Sequence, residues 1–282
     1  RPGVYAIDST LFIGSHTTLE FSSGVIMQRA PVDRTFGSYF LINKGAFTHT
    51  YDENISIIGL HLQVNGFDIH NYSVPITGLR GHVSLFYTKH TIIRDFVCRD
   101  LGTTGFAIQL CTFDDSLIED CYMEGKKDGV HYGTGKNFVL RNCRFRTADD
   151  PIALNANDYV SSAPQMGWIE NGLIEDCYDL PEPNYYGFFC RILGGSWCNW
   201  KEGMIVRNSD TVLHEGRMYR VAMPANGQEF NSITPPIHTK GSAILDGIHW
   251  VFIQDDNISQ SASCRNITFR NIHLQKDRKR AF

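Results

Sequence analysis

The apolar positions of this chain recur in one short pattern and not in the stripes of an amphipathic helix. The pattern consists of two apolar β-forming residues, a charged residue, an Asp or Asn, and then a Cys or Phe. Clear copies are residues 90–98, 115–123, 137–145 and 171–179, and weaker copies are residues 54–62, 203–211 and 265–274. The segments between the copies show no 3.6-residue periodicity, so the pattern predicts strands.

The spacing of the copies predicts how these strands stack. The second apolar position advances by 25, 22, 34 and 32 residues, through Ile93, Ile118, Leu140, Ile174 and Val206. A step near 22 residues is too short for a strand–helix–strand unit, and the regular leucines of a leucine-rich repeat are absent. The spacing predicts an all-β fold, a parallel β-helix with three short strands per coil and loop insertions in the longer steps. Since no linker or shift in composition divides the chain, we expect a single domain over residues 1–282.

The stacked register makes two further predictions. One position of each copy would form a ladder at a turn, advancing about 4.8 Å per coil. The ladder comprises Asp95, Asp120, Asn142, Asp176, Asn208 and Asn271. The next position holds Cys121, Cys143 and Cys177, which we expect to stack inside the coils as small apolar residues and not as metal or redox ligands.

Composition narrows the classes of partner. The 282 residues carry 26 basic and 30 acidic side chains, for a formal net charge of −4, and they form no basic stripe. We therefore expect no nucleic-acid partner. No apolar run reaches the about 18 residues that span a bilayer, so we expect no membrane partner. The eight cysteines contain no CxxC pair and are too few for a disulfide scaffold, and we predict neither a metal site nor a cofactor.

Aligning residues 128–132 with residues 150–154, one 22-residue step later, assigns a direction to each side chain. Alternation along the strands sends Val130 and Tyr132, with their partners Ile152 and Leu154, into the core. The same alternation sends His131 and Asn155 outward, where they would face a ligand.

The alignment also gathers three carboxylates. Asp128 and Asp150 become neighbours on successive coils, and Asp149 immediately precedes Asp150. Both members of the Asp pair can face outward only if the strand bulges there, and bulges are common beside active sites. The alternative is that the acids cap turns or hold a calcium ion.

Neighbouring coils extend this patch into a predicted groove. Residues 187–192 resemble residues 216–221, so Arg191 and Arg220 would stack on the same outward face as His131. Gln109 would lie on the coil below, and Trp197 would offer a flat face to a sugar ring.

Residues 126–156 resemble the glycoside hydrolase family 28 enzymes, the polygalacturonases and their relatives. That family carries Asn-Thr-Asp-Gly and, one coil later, Asp-Asp. Here the motifs read Lys126-Lys127-Asp128-Gly129 and Asp149-Asp150, with Asp149 21 positions after Asp128. Residues 1–27 are similar to the family's opening coil, so we expect that an N-terminal cap has been trimmed.

The resemblance implies a right-handed, single-stranded parallel β-helix of the pectin-lyase-like class and an inverting hydrolase. Asp149 would protonate the leaving oxygen, and Asp128 and Asp150 would hold and activate the attacking water. An inverting acid and base stand roughly 6.5–9.5 Å apart to admit that water. The stacked carboxylates would titrate as a coupled set.

This chain also departs from the family. The family's Gly-His-Gly would fall near Gly187-Phe188-Phe189, where the His is missing. Its Arg-Ile-Lys would fall at Arg220-Val221-Ala222, where the Lys is missing. That Arg–Lys pair binds the uronate carboxylate in polygalacturonases, so we expect a neutral or modified sugar and not plain polygalacturonan. The family 110 α-1,3-galactosidases are similar in their three acids.

These observations predict an extracellular or periplasmic O-glycosyl hydrolase whose partner is a poly- or oligosaccharide. Two alternatives stay open. A polysaccharide lyase or epimerase on the same fold would use Arg191 or Arg220 to neutralise a carboxylate. A catalytically silent, tailspike-like glycan-binding β-helix would explain the missing His and Lys. The sugar, the linkage, endo or exo action and the oligomeric state are left open.

Overall fold

A computed structural model describes residues 1–30, 39–65, 75–255, 260–274 and 281–282. These residues contain strands, turns and one 3-10 helix, Lys44–Phe47, and no α-helix. Over the same ranges, none of the helices is long and apolar enough to cross a membrane. The predicted all-β class is confirmed.

The strands up to residue 193 are β1 (Gly3–Ile7), β2 (Leu11–Ile13), β3 (Thr18–Glu20), β4 (Val25–Arg29), β5 (Leu41–Asn43), β6 (Asp52–Ile58), β7 (His61–Gln63), β8 (Gly81–Arg94), β9 (Val97–Leu101), β10 (Phe106–Glu119), β11 (Tyr122–Gly125), β12 (Val130–Tyr132), β13 (Gly135–Arg141), β14 (Arg144–Thr147), β15 (Ile152–Asn155), β16 (Ile169–Glu175), β17 (Tyr178–Asp179) and β18 (Cys190–Leu193). The later strands are β19 (Gly195–Ser196), β20 (Cys198–Asn199), β21 (Met204–Val206), β22 (Thr211–His214), β23 (Arg217–Val221), β24 (Phe230–Ser232), β25 (Ser242–Leu245), β26 (Ile248–Asp255), β27 (Ser261–Ala262), β28 (Cys264–Arg270) and β29 (His273–Leu274).

Most strands pair in parallel, each with a strand from the next pass of the chain. One ladder runs β1-β4-β7-β9-β11-β14-β17-β29. A second sheet divides into two ladders, because β8 and β10 bend at left-handed residues (φ 59° at Tyr87 and 50° at Thr112). Those ladders are β2-β5-β8-β10-β12-β15-β18 and β3-β6-β8-β10-β13-β16-β28. The prediction of parallel sheets is confirmed.

The predicted register is correct through four copies of the repeat. Ile93 pairs with Ile118, Ile118 with Leu140, and Leu140 with Ile174. The next partner of Ile174 is Phe269, not Val206. Cys121, Cys143 and Cys177 are buried free thiols, as predicted.

The backbone geometry that recurs at each corner explains why the pattern contains Asp or Asn at that position. Asp95, Asp120, Asn142, Asp176 and Asn271 all have φ between 48° and 57°, a left-handed conformation that Asp and Asn tolerate better than most residues. Their side chains also bond from coil to coil, since Asn142 donates to Asp120 over 2.5 Å and Asn271 to Asp176 over 3.0 Å. Asn208 does not belong to this ladder, and that part of the prediction is wrong.

Asn208 lies outside the ladder because the described residues 195–255 and 260–262 leave the parallel ladders. β20, β22, β23, β26 and β25 form a mainly antiparallel sheet, flanked by the pairs β19–β27 and β21–β24. We call residues 195–262 the insertion. Two tight turns reverse the chain within it: Glu215-Gly216 (φ 49° and 71°) and Asp246-Gly247 (φ 54° and 76°). Both are two-residue hairpin loops, in which Asp-Gly is a strong signal. The expectation of a parallel coil at residues 203–211 is therefore wrong, whereas the copy at residues 265–274 returns to the parallel ladders through β28 and β29.

Candidate functional site

The three carboxylates lie at corners between strands of successive coils. Asp128 lies between β11 and β12, and Asp149 and Asp150 lie between β14 and β15. Gly129 N donates to the Asp150 carbonyl over 3.0 Å, which stacks the two corners. The predicted bulge is therefore wrong: a corner between two strands, not a bulge within one, lets both members of the Asp pair approach the same patch.

Two glycines permit this close stacking. A Cβ on Gly129 would lie 2.6 Å from the Pro151 carbonyl oxygen, and a Cβ on Gly187 would lie 2.6 Å from Asp150 Oδ1. The corner that contains Gly187 covers the acid pair, because Phe188 N donates to Asp150 Oδ1 over 2.7 Å. The family-like Gly-His-Gly position is thus occupied by a backbone cap on Asp150.

The cluster is compact and shielded from solvent. Each of Asp128, Asp149 and Asp150 has one oxygen within 4.8 Å of an oxygen of the others. This figure joins one chosen oxygen of each group, so it does not test the acid–base spacing of roughly 6.5–9.5 Å that the resemblance implied. Their exposures are 3%, 8% and 2%, so Asp149 is the most accessible.

Burial and charge push the three pKa values in different directions. Burial would raise the pKa of Asp128, but the hydrogen bond from His131 and the charge of Lys127 outweigh it and lower that pKa. Burial raises the pKa of Asp150 to about 7, with help from the charges of Asp128 and Asp149. Burial and Asp128 also raise the pKa of Asp149. Below about pH 7 the cluster thus holds both an ionised carboxylate, Asp128, and a protonated carboxyl.

Cations surround the acids. Lys127 Nζ forms an ion pair with Asp149 and lies 3.5 Å from Asp128 Oδ1. Arg80 lies 4.6 Å from the ring centre of Phe106, and its charge acts on Asp128 and Asp149. Sequence reasoning missed Arg80, because a position in the loop before β8 has no counterpart in the repeat. The group could offer oxygens to a metal ion, but Lys127 already supplies positive charge there, and we assign no metal.

His131 lies inside the cluster and not on an open face. Its Nδ1 is 3.0 Å from Asp128 Oδ2, and its Nε2 is 3.5 Å from Asp158 Oδ2. The ring stacks on Phe106 at 4.0 Å and 10°, and His131 is 1% exposed. The predicted substrate contact is therefore wrong: His131 bridges Asp128 and Asp158. Asp158 carries no repeat signal and was missed.

Two other predicted binding residues support loops instead of facing a ligand. Gln109, which pairs with His131 in register as predicted, is fully buried. Its amide bonds to the backbone of Gly78 and Ser162. Asn155 is 1% exposed and donates to Asp158 over 2.7 Å. The segments 75–80 and 156–167 cover the face that was expected to be an open groove, and that expectation is wrong.

Of the three remaining predicted binding residues, one lies where it was predicted and two do not. Arg191 pairs with Ala153 as predicted, and its charge acts on Asp149 and Asp150. Arg220 does not stack on Arg191: it lies on β23 of the insertion, where it donates to Asn157. Trp197 is 6% exposed within the hydrophobic core, so it presents no open face to a sugar.

Comparisons with known proteins add little. The chain matches no protein family and no curated protein. Among solved structures it is similar to PfbA, a surface adhesin of Streptococcus pneumoniae, at 10% identity and a TM-score of 0.38. That match covers 73% of this chain and 60% of the adhesin chain, so the chain spans less than two thirds of its neighbour.

Proposed function

We propose that the protein is a glycoside hydrolase on a right-handed parallel β-helix, with Asp128, Asp149 and Asp150 as its catalytic groups. The proposal is carried by one observation: three buried carboxyls lie within 4.8 Å of one another, and their surroundings shift the pKa of Asp128 down and that of Asp150 up. Pairs of titratable groups with separated pKa values supply the acid and the base of hydrolysis.

Asp128 suits the base. Its lowered pKa keeps it ionised, and the hydrogen bond with His131, whose ring stacks on Phe106, fixes its orientation. Two oxygens up to 4.8 Å apart can both accept hydrogen bonds of about 2.8 Å from one water. A water held between Asp128 and a neighbouring carboxylate could therefore lose its proton as it attacks, and we expect inversion at the anomeric carbon.

The Asp149–Asp150 pair suits the acid. The two carboxyls are coupled, so one proton belongs to the pair and not to either residue. Asp150 retains it most strongly, but Asp150 is 2% exposed and capped by Phe188 N. Asp149 is the more exposed member, so we assign to it the transfer of the proton to the leaving oxygen.

The residue at position 222 does not predict whether the substrate sugar is neutral or charged. That residue follows β23 in the insertion and is not part of the acid cluster, so the absence of a Lys there says nothing about uronate binding. Lys127, Arg80 and Arg191 are the cations near the acids, and the substrate panel must include both neutral and uronate polymers.

The test is a screen of the purified protein against plant, algal and host glycans with reducing-sugar detection, followed by NMR of the first anomer formed. We expect turnover with inversion on at least one glycan. Asp149→Asn should lose activity on that glycan but retain most of it on a nitrophenyl glycoside, whose leaving group departs unprotonated. Retention of configuration, or equal loss on both substrates, would contradict the assigned roles. An unsaturated product absorbing in the ultraviolet would identify a lyase instead.

The burial of the carboxylates favours a second candidate, a glycan-binding protein without catalysis. A substrate must reach Asp149, which is only 8% exposed. Binding on a glycan array that Asp149→Asn leaves unchanged, with no turnover of the bound glycan, would establish that candidate.

A further inference from the structure

A cavity of about 600 Å³ lies where the insertion meets the loops of the parallel coils, and its lining residues differ from those of the acid cluster. The coil side is formed by the segments around Ile76 and Val160, the same loops that cover the His131 face. The opposite side is formed by β25 and β26 of the insertion. Its volume is within the range of about 300–1,000 Å³ that is typical of small-molecule sites.

The walls of the cavity are mainly apolar. Phe86 is 1% exposed and Ile253 is 8% exposed, and Phe252 and Val251 complete the apolar surface on the insertion side. Rings and branched side chains on both sides of the cavity favour a ligand with an apolar ring.

The rim carries basic groups. His49 stacks on Tyr87 at 5.0 Å and 12°, which holds its ring at the edge of the cavity. His249 and Lys240 lie on the insertion side, and neither forms an ion pair with a carboxylate of the described residues. The acidic residue of the rim, Asp255, is 3.9 Å from Arg217. Lys240 is therefore a cation of the rim that pairs with no carboxylate of the described residues.

The cavity is framed by fixed contacts. The Gln254 amide exchanges two hydrogen bonds with the Met166 backbone, at 3.0 and 2.9 Å, and Arg220 donates to Asn157. The pairing of β23 with β26 shifts register at Met218–Tyr219, which leaves an extra residue, Ile253, at the cavity wall. Such bulges often re-aim side chains beside binding sites.

We infer that this cavity binds a small molecule with a flat apolar ring and one acidic group, such as an aromatic carboxylate or sulfonate. The apolar walls take the ring, and Lys240 and the two histidines at the rim take the anion. This site is independent of the proposed hydrolase, and its test does not measure turnover.

The test uses 8-anilinonaphthalene-1-sulfonate, an aromatic sulfonate whose fluorescence rises in apolar surroundings, titrated into the whole folded chain. We expect saturable binding with one site per chain. Ala222→Trp, which fills the cavity, should weaken binding by about tenfold or more. Ala225→Trp, on the exposed loop three residues away, should leave it unchanged.

A second pair of variants tests the anion. Lys240→Gln should weaken binding by about two- to fivefold and reduce its dependence on salt, whereas Lys201→Gln, an exposed lysine elsewhere in the insertion, should not. If Ala222→Trp lowers the unfolding temperature, Ser242→Trp at the cavity edge replaces it. Absence of saturable binding, or equal binding by the cavity-filling variant and its control, overturns the inference.

Discussion

The chain changes direction by different means in the parallel coils and in the insertion. In the coils, single Asp or Asn residues at left-handed corners turn the chain into the next ladder, and the same corner recurs from pass to pass. In the insertion, paired residues such as Asp246-Gly247 fold adjacent strands back on each other. The coils share one extended core, which Leu213, Met218 and Ile253 of the insertion join. The insertion also has a second core of its own around Tyr219 and Trp250. A recurring corner places like residues above one another, which is why the acid cluster belongs to the coils.

The largest expected effect separates the two regions by activity. Asp149→Asn, in a coil corner, should lower turnover of a glycan substrate by about 10²–10⁴-fold, the usual contribution of one acid–base group. Glu202→Gln removes a charge from an exposed residue of the insertion and should leave turnover within about twofold. The measurement is the initial rate of reducing-sugar release, with circular dichroism to confirm folding. Equal rates for Asp149→Asn and the parent protein would show that Asp149 is not the general acid.

The separate core of the insertion predicts a local loss of stability. Trp250 is fully buried, so Trp250→Ala should lower the free energy of unfolding of the insertion by about 3–5 kcal/mol. Hydrogen exchange should show faster exchange of amides in residues 198–255, while β10 and β13 keep their protection. Ile118→Ala, in the core of the coils, should have the opposite distribution. Uniform loss of protection by both variants would mean that the two cores unfold as one.

The two regions should also respond oppositely to pH. Burial raises the pKa of Asp150 to about 7 in the folded state, so the protonated carboxyl favours folding. This contribution is fully present below the pKa that Asp150 has in the unfolded chain, and it is lost as pH rises through about 7. Between those values the slope is at most about 1.4 kcal/mol per pH unit. Asp150→Asn should reduce this slope in urea unfolding measured from pH 4 to 8, and the part that stays belongs to Asp149, whose pKa is also raised. The parent protein losing no stability over that range would contradict the assigned burial of the proton.

The contrasting group is Asp246, in a hairpin of the insertion. Hydrogen bonds from the Thr234 and Ile233 backbones lower the pKa of Asp246. Its contribution is therefore present above the unfolded pKa and is lost as pH falls through the folded one. Asp246→Asn serves as the control variant, because it should leave the slope between pH 5 and 8 unchanged.

The smallest expected effect concerns the corner ladder. Asn142 has φ 48° and donates to Asp120, so Asn142→Ala should cost about 1–2 kcal/mol of unfolding free energy. Asn142→Gly should recover the part due to the backbone conformation. Asn231→Ala, on exposed β24 of the insertion, should change stability by less than about 0.5 kcal/mol. Equal costs for Asn142→Ala and Asn231→Ala in urea titrations would show that the corner imposes no strain.

The sequence by itself determined the strands of the coils, their register from Ile93 to Ile174, the buried thiols and the meeting of Asp128 with Asp149 and Asp150. It could do so because a repeat of local steps converts sequence spacing directly into position. The hairpins of the insertion had a local signal in Asp246-Gly247, which the weak repeat copy at residues 203–211 obscured.

Only the tertiary structure decided which outward residues stay exposed. His131, Gln109 and Asn155 leave the core side of their strands as alternation requires, yet segments 75–80 and 156–167 fold over them. Arg80 and Asp158 join the acids from those same segments, and Arg220 arrives from a sheet that the repeat does not describe. Loops and inserted sheets are placed by long-range packing and hydrogen bonds, which no spacing along the chain records.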